Sequence, residues 1–521
     1  MNKIKKENFS KSVTYLLVSQ GLIKVLGLIY SLYLINKPKF GDEGNAIYLS
    51  GYQIFIFMIT FSSIGVSNAV SSIVAKCEDY NSIKKIYKSA ILVYVSISCI
   101  SCFLLYLLSN VIAEKFIGIE VVSYNLKILA PIIILNAFES IAIGYFNGIK
   151  QMKITAKIQF LEQLLKCIFT IGLVESFSLI TDDANVLSIG ATLGVALSIL
   201  CCFLICIYEK RRVCIYTKKF ENIELKTKDI VKNLLKFSIP ISFGAMLVGI
   251  NKNIDSFTIM NLLAKKINKD YAQKIYGIIA SKVDVLIVFP LAFNSTFSVA
   301  LIPNISEAIN SRNIADVKKY VQNSIFLSII IGITSTVGLY FFSEEIFALL
   351  FSNSQNGSDF LKLSAFSVFF TVMNQTFCGI LQGLRKNKIP VYAMFCGMVS
   401  KVFLNFILIS SVHFYENGII ISTIISNIIM FCFLYYEVQK NIKIHFKRFS
   451  LLIFGVSLIM VYTSIFLRKK FFDNYLNSNI SFIISTSIGG MLYIFLLTKI
   501  NIFFDNFSQK SKKMKKNIKK I

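Results

Sequence analysis

Gly144-Tyr-Phe-Asn-Gly148-Ile-Lys-Gln-Met-Lys153-Ile154 is answered 235 residues later by Gly379-Ile-Leu-Gln-Gly383-Leu-Arg-Lys-Asn-Lys388-Ile389. Each stretch joins one apolar segment to the next through a short basic loop, and each following segment carries a lysine at the matching position, Lys166 and Lys401. Six apolar segments separate the two copies. Six is even, so both copies cross a membrane in the same sense. Parallel repeats predict two six-helix lobes related by an axis along the membrane normal, with a cavity between them. That is the plan of a transporter, although a channel or a membrane enzyme could share it.

The composition points to lipid as the solvent. Of 521 residues, 55% are apolar and 16% charged, against roughly 45–50% and about 25% in soluble proteins. At roughly 20 residues per span, the apolar material suffices for about fourteen crossings. Apolar windows put them near 12–36, 46–75, 89–113, 124–147, 157–180, 186–208, 231–263, 274–305, 322–342, 360–383, 390–412, 416–437, 449–467 and 479–503. The expected fold is all-α: a polytopic membrane protein of about 14 transmembrane helices, two six-helix lobes plus two C-terminal helices. The expected divisions are a first lobe at 1–208, a basic cytoplasmic linker at 209–230, a second lobe at 231–438, the added spans at 439–503 and a basic tail at 504–521.

The net charge of +27 comes from 55 Lys and Arg against 28 Asp and Glu. Most of the basic residues fall in loops of one side, richest at Lys210 to Lys228, Arg385 to Lys388, Lys440 to Arg448 and Lys510 to Lys520. The positive-inside rule then places both termini in the cytoplasm of a cell-membrane protein. Lys265, Lys266, Lys269 and Arg468 to Lys470 run against it. Such loops read as anchors on anionic membrane lipids, so no nucleic acid is expected as a partner. The first apolar segment is long enough to span and stay, which argues against a cleaved signal peptide.

Other chemistries find little support. Cys99 and Cys102 form a CxxC only in the middle of an apolar run, and the remaining cysteines read as small buried hydrophobes. His413 and His445 are the only histidines, too few for a histidine-rich metal centre. There is no GxxxxGK[ST] loop for ATP and no nucleophile–base pair, so neither an enzyme nor a cofactor is expected. Driving force would come from an ion gradient (Na+ or H+), the membrane potential, a partner or the substrate's own gradient.

Charges inside spans are the most informative residues, because each costs about 2.5–3.5 kcal/mol or more at the helix centre. They are Lys24, Glu139, Glu162, Lys166, Lys252, Asp255, Lys282, Asp284 and Lys401. Glu162 with Lys166 (i,i+4) and Lys252 with Asp255 (i,i+3) are spaced to pair on one helix face, or to act in coupling. Lys24 and Lys401 have no acidic neighbour within a turn, which favours a functional role. Lysines lining a cavity from both lobes suit an anion, a phosphate or pyrophosphate above all. Asn294, Ser295, Thr296 and Ser298 could bind sugar hydroxyls, or knit helices together.

Gly21-Leu-Ile-Lys24-Val-Leu-Gly27-Leu-Ile-Tyr30, Gly41-Asp-Glu-Gly44 and Gly65-Val-Ser-Asn-Ala69-Val-Ser-Ser-Ile-Val-Ala75 resemble a known N-terminal signature. It is that of the stage V sporulation protein B and MurJ-like lipid II flippase branch of the multidrug/oligosaccharidyl-lipid/polysaccharide (MOP) exporter superfamily. The likeness continues through Gly144 to Gly148, Glu162-Gln163, Asn253 to Ser256, Phe289-Pro290, Leu301 to Ala308 and Gly379 to Pro390, ending near Asn405. The resemblance implies a V-shaped pair of lobes that alternates between inward-open and outward-open states. Its cargo would be an undecaprenyl-pyrophosphate-linked saccharide for peptidoglycan or polysaccharide biosynthesis, lipid II first among them. It places Lys24 and Lys282 where the family faces the lipid pyrophosphate. A second basic residue, which relatives often carry near Tyr30 or Ser31, is absent here; a weaker site, a different headgroup, or compensation by Lys166, Lys252 and Lys401 would account for that. Export of another lipid-linked oligosaccharide is the alternative within this branch. A cation-coupled drug exporter of the same superfamily would favour carboxylates in the cavity, and here five lysines face four. A non-transporting scaffold in envelope or spore assembly is the reading from another class.

Overall fold

The computed structural model describes residues 9–75, 80–212, 227–311, 313–351, 357–386, 388–411, 414–442, 447–473 and 475–518. Every regular element among them is a helix. Fourteen long helical rods lie where the apolar windows are. They are α1 (Phe9–Asn36), α2 (Gly41–Ile59 and Gly65–Val74, joined by a π-helical turn), α3 (residues 80–117) and α4 (Val122–Leu129 and Ile132–Gly148). Then come α5 (Met152–Ser178), α6 (Ala184–Arg212), α7 (residues 227–266), α8 (residues 269–310) and α9 (Ile314–Phe341). The last are α10 (Ser358–Gly383), α11 (Lys388–Ser410), α12 (Asn417–Asn441), α13 (residues 447–472) and α14 (Ser478–Ile518). Among the described residues, nine rods are long and apolar enough to cross a membrane, or ten if the two halves of α4, bent by 42° around Pro131, form one span. The chain is a multi-pass membrane protein. His445 and Cys77 lie outside the described residues, as does His413.

Local chemistry sets the helix ends. Asn268 accepts a hydrogen bond from the Tyr271 amide and starts α8, and Asn313 does the same for Asp316 at the start of α9. On α3, Leu92, Ile100, Phe103 and Leu107 are exposed. In lipid that costs nothing, because a helix satisfies its own backbone.

By its internal contacts the chain forms two compact units, each discontinuous in sequence: residues 1–289 with 390–426, and residues 290–389 with 427–521. The first has a core in which Val66, Val70 and Val74 of α2 meet Ile86 and Tyr94 of α3, Ile141 and Phe146 of α4, and Leu234 of α7. In the second, Val337, Val461 and Phe482 join α9, α13 and α14 through Phe342. There Asn294 is almost completely buried. Its amide donates to the Val372 carbonyl at 3.0 Å and Gln375 Oε1 at 3.1 Å, and its carbonyl accepts from Ser328 at 3.0 Å. Asn294 thus knits α8, α9 and α10 together and is not free to meet a sugar. The Ser295 hydroxyl turns back to the Ala292 carbonyl, while the side chains of Thr296 and Ser298 are outside the described set.

The sequence repeat is also a repeat of backbone. Lys150 (φ 63°) and Arg385 (φ 62°), 235 residues apart, both adopt the left-handed conformation. The next amides, of Gln151 and Lys386, each reach back to the carbonyl five residues earlier at 2.8 Å, Phe146 and Leu381. Each loop also needs its glycine: a Cβ on Gly148 would sit 2.6 Å from Val74, and one on Gly383 would sit 2.9 Å from Ile305.

Candidate functional site

All nine intramembrane charges lie in the first compact unit. Lys24 is on α1, which runs alongside α5. Gln20 bonds Gln159 at 3.0 Å, Gly27 faces Gln163, and Lys37 pairs with Glu175 at 2.5 Å. This puts Lys24 level with the middle of α5. Its side chain is exposed and makes no ion pair among the described residues.

Lys282 differs. It sits in a π-helical turn of α8 (Ile278–Val283), is 2% exposed, and holds both carboxylate oxygens of Asp42 at 2.9 Å. The close approach of the helices is possible because residue 277 is glycine; a Cβ there would overlap the Asp42 carbonyl oxygen. Asp42 lies at the very start of α2, just ahead of the apolar window, so a search confined to spans misses it. Asp284, one helical position past the turn, is half-buried.

Lys401, which has no acid near it in sequence, receives one from another helix. Its ammonium lies 2.6 Å from Asp255 Oδ2 on α7, with the two side chains 4% and 22% exposed. Asn405, one turn further along α11, donates to Thr258 at 2.9 Å and to Asp255 at 3.5 Å, and accepts from Ser422 of α12. Three helices are tied by this network. The pairing expected between Lys252 and Asp255 cannot be drawn, since the Lys252 side chain lies outside the described residues.

Lys166 gives its hydrogen bond to a tyrosine on another helix, not to Glu162. Its ammonium donates to the Tyr52 hydroxyl at 2.7 Å and lies over the Tyr52 ring, 4.0 Å from the centroid, with the Tyr30 ring at 5.5 Å. Tyr30 and Tyr48 share a 2.7 Å hydroxyl contact, and Tyr48 stacks on Tyr52. A cation against aromatic faces is worth about 2 kcal/mol when desolvated, so the tyrosines compete well with a carboxylate a turn away. Glu139, in the middle of α4, is 2% exposed. The partners of Lys166 and Lys282 thus both come from α2, which sequence reasoning passed over because Tyr48 and Tyr52 look like ordinary core residues. Among the described residues no group of three His, Cys, Asp or Glu is arranged to hold a metal.

The family described as "Polysaccharide biosynthesis protein" matches residues 9–309, more than half of the chain. The chain belongs to that family. A second family, MatE, matches residues 255–407, and together they place the chain in the MOP superfamily. Among curated relatives, the lipid II flippase MurJ of Bacillus subtilis (strain 168) is 22% identical over 91% of this chain and 92% of its own length. Stage V sporulation protein B of the same organism is 23% identical over 69% of this chain and 70% of its own. Among solved structures, a lipid II flippase MurJ in an inward closed conformation superposes with a TM-score of 0.71 at 17% identity, covering 95% of this chain and 99% of that one. An inward-facing multidrug resistance MATE transporter gives 0.62 at 13% identity, over 82% and 98%. This member of the polysaccharide biosynthesis family therefore has the helical transporter fold expected from its sequence. Its intramembrane lysines divide by surroundings: Lys24 is exposed, Lys166 lies against tyrosine rings, and Lys282 and Lys401 are ion-paired.

Proposed function

We propose that the protein is a flippase that carries an undecaprenyl-pyrophosphate-linked saccharide, lipid II first among candidates, across the cytoplasmic membrane by alternating access. The observation that carries this reading is Lys24: an exposed ammonium at the middle of a membrane-length helix, unpaired among the described residues, in a chain of this family. Such a charge is costly in lipid unless it meets water or an anion, and a pyrophosphate supplies the anion. Lys282 is the second headgroup contact, reached when the substrate takes the place of Asp42; Lys166, Lys252 and Lys401 are the further basic residues of the same compact unit that could compensate once freed from their present partners. The moving halves are residues 1–208 and 231–438, as the repeat groups them, and both termini face the cytoplasm.

The test is complementation of a flippase-depleted strain. Lys24→Ala should reach the membrane at wild-type levels yet fail to support growth, and in proteoliposomes it should lose at least tenfold in flipping of labelled lipid II. Full activity of Lys24→Ala overturns the assignment. Flipping of a different undecaprenyl-linked sugar in preference to lipid II would keep the mechanism and change the cargo.

A further inference from the structure

Glu139 is an acid with no base. It lies mid-helix on α4, is 2% exposed, and neither carboxylate oxygen meets a hydrogen-bond donor among the described residues. What it does face is a second carboxyl, that of Glu162 on α5, within hydrogen-bonding reach. Two carboxylates cannot hydrogen-bond each other: both are acceptors only, and one needs a proton before it can donate. An isolated buried carboxylate is penalised far more heavily than its neutral form.

The surroundings decide which of the two carries the proton. Glu162 has the Lys166 cation one turn away on α5, the spacing at which opposite charges on a helix attract each other. Glu139 meets no cation among the described residues. From α6, Cys202 and Cys206 stand near both carboxyls but bring no positive charge, and Glu209 is taken by Lys157 at 2.7 Å. From α3, the Tyr94 hydroxyl is bound to the Leu234 carbonyl and the Tyr87 ring packs on Tyr145. From α2, Tyr48 and Tyr52 surround Lys166, and Asp42 is held by Lys282. From α1, Lys24 makes no ion pair among the described residues and Tyr30 bonds Tyr48. Residues 65–74 of α2, which pack on α4, contain no titratable side chain.

We propose that Glu139 and Glu162 form a proton-binding site in which Glu139 is the protonated acid and donates to the Glu162 carboxylate. Loss of that proton leaves two facing negative charges, which pull Lys166 from Tyr52 toward Glu162. Proton occupancy at α4 is thereby linked to the aromatic cage between α1, α2 and α5. A sodium ion is the competing occupant, because Asn136 Oδ1, one turn before Glu139, is a further acceptor without a donor.

The experiment is infrared spectroscopy of the purified full-length chain in nanodiscs, with no substrate, in choline buffer. The wild type should show a protonated-carboxyl stretching band at neutral pH that is lost on alkaline titration. Glu139→Gln should remove one carboxylic acid's worth of that band. Glu162→Gln should keep the band at a shifted frequency, since the proton stays on Glu139 with a new acceptor. An unchanged band in Glu139→Gln overturns the proposal, as does its loss in the wild type when sodium replaces choline. A role in transport rests on the flippase reading: Glu139→Gln should then flatten the pH profile of lipid II flipping. Should the wild type flip nothing, that reading fails while the band still decides the proton site.

Discussion

Replacing Lys401 by alanine removes the ammonium 2.6 Å from Asp255 and leaves a carboxylate in a mostly dry place. Breaking a buried pair from one side costs about 3–5 kcal/mol, because the surviving charge has no counterpart. The Asp255 side chain is 22% exposed, so water reaches it and the cost falls at the lower end, about 3 kcal/mol. The Asn405 contact at 3.5 Å is too long to compensate. Asp255→Asn is the harsher change, because it removes the counter-charge from the more deeply buried member of the pair, Lys401, whose side chain is only 4% exposed, and should cost about 5 kcal/mol. Removing both charges as Lys401→Met with Asp255→Leu should restore most of the stability, since a pair replaced by apolar residues of similar size is often neutral or better. Equilibrium unfolding of the purified protein in mixed micelles gives all three values. A loss below about 1 kcal/mol for Lys401→Ala, or a double variant no more stable than Asp255→Asn, would refute the view that Lys401 is a structural partner.

Lys24→Ala should behave oppositely in the same assay, staying within about 0.5 kcal/mol of wild type as expected of an exposed site, while losing transport. Gly277→Ala should push α8 off Asp42 and loosen the Lys282 pair, costing about 1–3 kcal/mol as overpacking does; equal stability would mean that the two helices are not in close contact. Lys150→Gly and Arg385→Gly should each gain about 0.5–1 kcal/mol by relieving a left-handed residue, read as a rise in unfolding midpoint, and a fall in both would rule out the shared loop conformation.

The helices were legible in the sequence because each apolar window is long and the loops between are basic; all fourteen windows coincide with rods among the described residues. The repeat was equally legible, down to the loop. Partners were not. Lys401 reads as a lone cation because its acid is 146 positions away, and periodicity reports only neighbours on the same helix face. Lys166 reads as half of an i,i+4 pair, yet helical spacing sets only what is reachable, and Tyr52 offers the ammonium both an oxygen and a ring. Asp42 escaped notice because it precedes its span by a few residues, a position where a carboxylate ordinarily faces water.

The paired loops at Lys150 and Arg385 also separate what a shared backbone requires from what it leaves free. Between the two glycines the side chains differ, Tyr-Phe-Asn in one copy and Ile-Leu-Gln in the other. The glycines are kept because a helix from elsewhere passes within a methyl group's radius, and the left-handed residue because the chain must reverse within one turn. The likeness of the two loops is therefore one of steric clearance and chain reversal, which a search keyed to charged residues inside spans would overlook.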